Sequence, residues 1–174
     1  MTLSHLPKRK LHLSVRTLNK NWHNAVPQLR QHIRKVLAKN CLGFCPQSFQ
    51  TLALSIILTN SSHVQQLNQQ YRHHNKPTNV LSFCLPQQYQ NKDGEHVHFL
   101  GDVFLSYETI MEEAMEQDKN FKDHFTHLLI HGFLHLLGYD HQNKNEAKIM
   151  EKLEIAVLAS LHITNPYVTS FPNR

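Results

Sequence analysis

Residues 131–141 read HGFLHLLGYDH, and this stretch constrains the chain more than any other. His131 and His135 are four residues apart, so on a helix both side chains leave from one face. Gly138 can stop that helix, because a left-handed backbone costs glycine little. His141 can then swing back as a third ligand. Three imidazoles with an open position make a catalytic zinc arrangement, in which the cation lowers the pKa of a water and polarises a phosphoryl or carbonyl oxygen. The spacing H-x-x-x-H-x-x-G-x-x-H is that of a zinc peptidase helix. A peptidase of that kind has its catalytic glutamate after the first histidine, however, and this chain has Gly132 there. Glutamate-dependent peptide cleavage is therefore not expected.

The rest of the segment says where the helix sits. Phe125, Leu128, Leu129, Ile130, Phe133, Leu134, Leu136 and Leu137 surround it with apolar groups, as in a helix at the centre of a fold. Burial favours neutral imidazoles, which metal binding requires. His127 lies one turn before His131, and His124 is near the same face. Four histidines cannot all serve one open site, so His131, His135 and His141 are taken as ligands of one zinc ion. His127 is read as a contact behind the ligands or as a satisfied core residue.

Upstream, LHLSV at 11–15 alternates as a strand. A helix is expected from an Asn24 cap, with Pro27 in its first turn and Val26, Leu29, Ile33, Val36 and Leu37 as its stripe, ending near Asn40. CLGFCPQS reads as loop and TLALSIILT at 51–59 as a buried strand. Asn60, Ser61 or Ser62 can cap a short helix through Val64, Leu67 and Tyr71. NVLSF at 79–83 reads as a short strand, LPQQYQNKDGEH as a loop turning at Asp93–Gly94, and 97–106 as a strand irregular at Gly101. Helices follow at about 107–118 (capped by Ser106), 122–137 and 144–161. The last carries Ile149, Met150, Leu153, Ala156, Val157 and Leu161 on one face. The tail ITNPYVTSFPNR looks irregular. The expectation is one α+β domain over residues 1–174, with a roughly four-stranded mixed sheet and four or five helices around a central metal-binding helix.

The 174 residues carry 18 Lys and Arg against 13 Asp and Glu, a formal net charge of +5, consistent with a polyanionic partner. Basic residues concentrate early, at Lys8, Arg9, Lys10, Arg16, Lys20, Arg30, Arg34, Lys35 and Lys39, and acidic ones cluster in ETIMEEAMEQD at 108–118. No apolar run has membrane-spanning or signal-peptide length, and the opening MTLSHLPKRKLHLSV reads as a polar lead into a strand. Three cysteines, Cys41, Cys45 and Cys84, argue against a disulfide framework.

Three blocks together resemble the YbeY family of bacterial rRNA maturation factors, single-strand-specific metal-dependent endoribonucleases. HGFLHLLGYDH matches H-G-x-L-H-L-x-G-Y-D-H at His131, Gly132, Leu134, His135, Leu136, Gly138, Tyr139, Asp140 and His141. LNQQYRHHNKPTNVLSF at 67–83 resembles L-N-x-x-Y-R-x-x-x-x-P-T-D-V-L-S-F, and LGDVFLS at 100–106 resembles L-G-D-I-x-I-S. They occur in family order across most of residues 60–141. One departure is Asn79, where the family usually has aspartate. The change alters local electrostatics if the aspartate oriented a ligand or balanced Arg72, and little if it only capped a turn; the second is favoured.

The resemblance implies a zinc-dependent endoribonuclease of the cytoplasm that matures the 3′ end of 16S rRNA and serves ribosome quality control. Its partners would be the rRNA precursor and the small ribosomal subunit, with no membrane and no DNA. It makes Arg72 the catalytic arginine, a guanidinium suited to clamp nonbridging phosphate oxygens. The attacking group would be a metal-bound water or the RNA's own 2′-hydroxyl. No protein general base is assigned. His73 and His74 are candidates for acid–base or RNA contacts, but solvated loop histidines are the favoured reading. Asp102, on a strand beside Gly101, suggests a structural hydrogen bond or a contact behind the ligands. Tyr139 and Asp140 are expected to fix the turn that places His141. The rivals are a metal-dependent hydrolase of another substrate and a ribosome-assembly binding protein with a structural metal. An open metal position favours catalysis; a fourth protein ligand favours structure.

Overall fold

The strand TLALSIILT is apolar along almost its whole length because both its faces are covered. In the computed structural model, which describes residues 9–168, it is β2 (Thr51–Thr59), with eight of nine positions buried. It pairs in parallel with β1 (Lys10–Thr17) on one side and β4 (His96–Ser106) on the other. Strands buried in this way read as continuous hydrophobic runs rather than as alternation. β3 (Val80–Gln90) runs antiparallel to β4 at the edge, so the mixed sheet has the order β1-β2-β4-β3. The architecture is α+β, as the sequence implies.

Leu52, Leu54, Ile56 and Leu58 of β2 point to one face, into the main core with Val103 and Leu105 of β4 and most of α5 (Phe121–Leu136). α5 is buried on nearly all sides, Phe125, Leu129, Ile130, Phe133 and Leu134 having no exposed surface. Asn120 caps it by accepting from the backbone N–H groups of Lys122 and Asp123. At its other end Gly138 takes φ +89, and the Tyr139 N–H returns to the Leu134 carbonyl at 3.1 Å. α3 (Ser61–Arg72) covers part of the opposite face, with Asn60 as its cap. α4 (Tyr107–Glu116), capped by Ser106, and α6 (Lys144–Ser160), capped by Asn143, complete the frame.

Three expectations change. The helix expected from Asn24 is two helices, α1 (Asn21–Ala25) and α2 (Leu29–Arg34), continued by a π-helical turn over Lys35–Cys41. Val26 is extended, φ −127 and ψ 98, as a residue before proline prefers, and Pro27 has no N–H with which to continue α1. Asn24 lies inside α1, and Gln28 starts α2 from a left-handed conformation. The stripe survives the break: Val26, Leu29, Ile33, Val36 and Leu37 are all buried. Among the described residues this division gives six α-helices, with a short 3-10 turn at Leu42–Phe44 inside the expected loop.

The second change is β3, which continues through most of the segment expected to be loop. Its register with β4 shifts between Cys84 and Gln87, and that irregularity takes up Pro86, which cannot donate to a ladder. From Cys84 to Gln90 every residue is exposed, so the outer hairpin lacks the alternation that marks a half-buried strand. Its turn is fixed by Asn91, whose Oδ1 accepts from the N–H groups of Asp93 and Glu95. The third is the face of α6. Met150, Glu154, Val157 and Leu158 are buried, whereas Ile149 is 54% exposed and Ala156 lies outside.

Gly101, where irregularity is expected, has φ +138 in β4, and a Cβ there would lie 2.0 Å from the Phe83 carbonyl oxygen. Backbone cannot yield as a flexible side chain does. Gly101→Ala is expected to lower unfolding free energy by about 3 kcal/mol or more in chemical denaturation.

Candidate metal centre

His131 and His135 sit one above the other on α5, their ring centroids 4.6 Å apart. Each uses its Nδ1 elsewhere. His131 Nδ1 donates to Glu154 Oε1 at 2.7 Å, and His135 Nδ1 donates to the Tyr139 carbonyl at 3.0 Å. With both Nδ1 atoms carrying the proton, the two Nε2 atoms present lone pairs, and these face each other at 3.0 Å. Two lone pairs at that separation repel unless a cation is shared between them. The His141 ring completes the group, with centroids 5.4 Å from His131 and 5.0 Å from His135. One nitrogen from each of the three lies within 4.8 Å of the others. The donor set therefore fits a divalent cation, and among the described residues no fourth His, Cys, Asp or Glu joins it.

Burial pushes the His135 imidazole down to about 4, helped by His131 and His141 beside it. It stays neutral near pH 7, as a ligand must. The turn after α5 is held by Asp140, whose Oδ1 accepts from the His141 N–H and whose Oδ2 accepts from Gln142 Nε2, both at 2.8 Å. Asp140 thus orders the loop carrying His141, and Tyr139 contributes through its carbonyl.

Behind the ligands stands Glu154 of α6, with no exposed surface. Its two oxygens are divided: Oε1 takes His131 Nδ1, and Oε2 takes His127 Nε2 at 2.8 Å and the Tyr167 hydroxyl. His127 therefore contacts the carboxylate that orients His131 and stays out of the ligand group. Burial alone would raise the Glu154 pKa, but the hydrogen bonds from His127, His131 and Tyr167 outweigh it and hold it at about 2. A cavity of about 310 Å³ opens beside His131 and His141, walled by Met150, Glu151, Glu154 and Tyr167.

Gly132 faces the sheet. A Cβ at this position would come within 2.7 Å of Val103 Cγ1 and 3.1 Å of Ser82 Oγ. Ser82 Oγ also donates to the Gly132 carbonyl at 3.1 Å. The position that carries the base in a zinc peptidase is here a packing contact. Arg72, at the end of α3, reaches the same place from outside: its Nη2 donates to the Ser82 carbonyl at 3.4 Å, and the residue is exposed. One residue of β3 thus touches both Arg72 and the α5 backbone next to His131. His73 and His74 are exposed, His73 in a left-handed C-cap conformation.

Two residues stand elsewhere than expected. Asp102 alternates with Val103 along β4, so when Val103 packs on Gly132, Asp102 points to the opposite face, in register with Ser55 and Phe83. No hydrogen bond or ion pair of its carboxylate occurs among the described residues, so it does not support the ligands. Asn79 does more than cap a turn. Its Oδ1 accepts from the Val80 N–H, while its amide donates to both oxygens of Glu113 at 3.0 and 2.9 Å. Glu113 Oε2 also takes His124 Nε2 at 2.7 Å. An aspartate at 79 would set a second carboxylate against Glu113; the asparagine supplies donors instead.

A sequence model of the YbeY family, described as "Endoribonuclease YbeY", matches residues 16–162. This chain belongs to the YbeY endoribonuclease family. Curated relatives named Endoribonuclease YbeY include one from Rhizobium johnstonii, 48% identical over 124 residues, covering 70% of this chain and 71% of that protein. Another from Magnetococcus marinus is 48% identical over 124 residues, covering 67% and 84%. A third from Francisella tularensis subsp. novicida is 44% identical over 115 residues, covering 66% and 71%. The solution structure of TM1509 from Thermotoga maritima superimposes with TM-score 0.50 at 23% identity, over 93% of this chain and 99% of that one, a likeness of fold. Within this YbeY-family chain, Glu154 and Glu113 are the site residues that the motifs do not announce. The available signal for Glu154 is its place in the apolar stripe of α6, between Met150 and Val157.

Glu154→Gln keeps the shape but puts an amide donor against imidazole N–H groups. It is expected to weaken binding of a divalent metal roughly 10- to 100-fold, measured by competition with a chelator. The pH dependence has a fixed sign. A carboxylate held at about 2 against an ordinary 4.5 stabilises the fold above about pH 4.5, on the order of 3 kcal/mol, and that stability is lost as pH falls toward 2. In urea unfolding, the parent's advantage over Glu154→Gln should shrink on acidification from neutrality to about pH 3.

Proposed function

We propose that the protein is a zinc-dependent, single-strand-specific endoribonuclease of the cytoplasm, acting at the 3′ end of the 16S rRNA precursor and in quality control of the small ribosomal subunit. The carrying observation is the pair of Nε2 lone pairs 3.0 Å apart on His131 and His135, with His141 beside them, in a chain of the YbeY endoribonuclease family. A divalent ion there would supply Lewis acidity at a phosphoryl oxygen and would lower the pKa of the attacking hydroxyl.

The chain's own residues do the rest. Glu154 and the Tyr139 carbonyl fix the tautomers of His131 and His135, and Asp140 holds the loop of His141. Arg72 clamps nonbridging phosphate oxygens, a task for which a fixed planar fork of donors is suited. Its exposed guanidinium makes one hydrogen bond, to the Ser82 carbonyl, among the described residues, which leaves donors for substrate. Two observations weigh against the alternatives. The three-histidine set without a fourth protein ligand favours a reactive over a structural metal, and Gly132 packed on the sheet leaves no room for a peptidase glutamate. The net charge of +5 suits a polyanionic substrate, and no helix among the described residues is long and apolar enough to cross a membrane.

The test compares parent, His135→Ala and Arg72→Ala on defined single-stranded and duplex RNAs, with metal content measured in each preparation. His135→Ala should lose metal and cleavage. Arg72→Ala should keep its metal and lose cleavage by roughly 100-fold or more, the scale of losing one charge-stabilising donor. Equal cutting by all three would mean a contaminating ribonuclease.

A further inference from the structure

Tyr71 sits where an apolar stripe residue of α3 is expected, yet it is 58% exposed. It is not loose. Its ring meets Phe83 edge-on, centroids 5.1 Å apart at 68°. Phe83 meets Phe104 in the same manner at 5.7 Å and 87°, and Phe104 meets His63 at 5.9 Å and 89°. Four rings from α3, β3 and β4 thus brace one another, and the outermost presents its surface to solvent. Edge-to-face pairs of this kind are each favourable beyond the area they bury. The row holds the exposed tyrosine in place before any ligand arrives, which removes part of the ordering cost of binding.

The surroundings carry cations. Arg72 and Lys76 follow Tyr71 closely in the chain, with His73 and His74 between them, and all four are exposed. The chain contains no Asp or Glu before Asp93, so β1, β2, α1 to α3 and β3 contribute no carboxylate at all. β4 brings the half-buried Asp102 opposite Phe83, and Glu108 of α4 meets the far end of α3 at the Ser61 N–H. A pre-set aromatic face with an exposed arginine next to it in the chain and an exposed lysine shortly after matches an unpaired nucleobase with its flanking phosphates. A base in a duplex is already stacked on both sides and cannot use it.

We infer that Tyr71, braced by Phe83 and flanked by Arg72 and Lys76, is a stacking platform for one unpaired base of the RNA strand whose phosphate Arg72 holds. The inference rests on the ribonuclease reading above. It gives that reading a physical source for its single-strand preference: the site selects strands that can lay a base on Tyr71.

The experiment uses the full-length, zinc-loaded protein and short single-stranded RNAs carrying 2-aminopurine in turn at each position, with a matched duplex. Anisotropy gives affinity, and 2-aminopurine quenching reports stacking. The parent should quench the probe at one or two positions. Tyr71→Ala should lose that quenching and bind single strands about tenfold or more weakly, at unchanged metal content and with the fold intact by circular dichroism, and with duplex affinity unaltered. Tyr71→Phe should behave as the parent, because the ring and not the hydroxyl does the stacking. Tyr89→Ala, which removes a tyrosine of similar exposure (47%) from the outer part of β3, should also match the parent. The platform is overturned if Tyr71→Ala binds and quenches like the parent, if Tyr71→Phe is as poor as Tyr71→Ala, or if Tyr89→Ala loses as much. A parent that binds no RNA would sink the ribonuclease reading as well, so the two failures are told apart.

Discussion

The approach of α5 to the sheet at Gly132 governs the rest of this molecule. Val103, Val80 and Ser82 lie so close that no side chain fits between helix and sheet at that position. Ser82 fastens the contact by donating to the Gly132 carbonyl. The helix is thereby fixed in depth and rotation at the residue between its two metal-facing histidines and their apolar surroundings. Rotation of α5 by a single residue would turn His131 and His135 through about 100° and bury them against strands. The glycine that removes a peptidase's base is also the residue that aims the ligands.

Two carboxylates, Glu154 fully buried and Glu113 partly so, complete the positioning from the other sides. Glu154 ties α6 to α5 through His127 and His131, and Glu113 ties α4 to α5 through His124 while holding Asn79 at the head of β3. In both, desolvation opposes the charge and donated hydrogen bonds overcome it, so each carboxylate lies below its ordinary pKa. Removing one partner of such a group leaves the others with an unmet charge, which costs more than the lost bond. This explains the abundance of histidines on α5 better than metal ligation alone: His124 and His127 are donors to structural carboxylates.

The metal centre was legible because its information is local. Two helical turns, a helix-stopping glycine and the third histidine lie within eleven residues, and side-chain direction follows from helical period. Strand β2 was legible for a similar reason, since burial on both faces leaves a continuous apolar run. What escaped depends on contacts between distant segments. Glu154 is more than twenty residues from His131 and looks like any helix-surface glutamate unless the stripe it interrupts is noticed. The outer half of β3 has no burial to impose alternation, and only its ladder with β4 makes it a strand. Pro27 tolerates a first helical turn, but the extended Val26 before it decides for a break. Residue type alone suggests that Asp102 stands behind the ligands, whereas the parity set by Val103 turns it to the other face.

β3 is an outermost strand, and its free side presents backbone groups that another strand could pair with. Arg72 occupies one of them, the Ser82 carbonyl, and Pro86 a little further along has no N–H to offer. The arginine proposed to hold substrate therefore also blunts the sheet against association with a second chain. Cutting it back to a methyl group uncovers that carbonyl as well as removing a charge. A loss of activity on truncating Arg72 consequently carries two meanings, and the oligomeric state of such a variant is part of its enzymology.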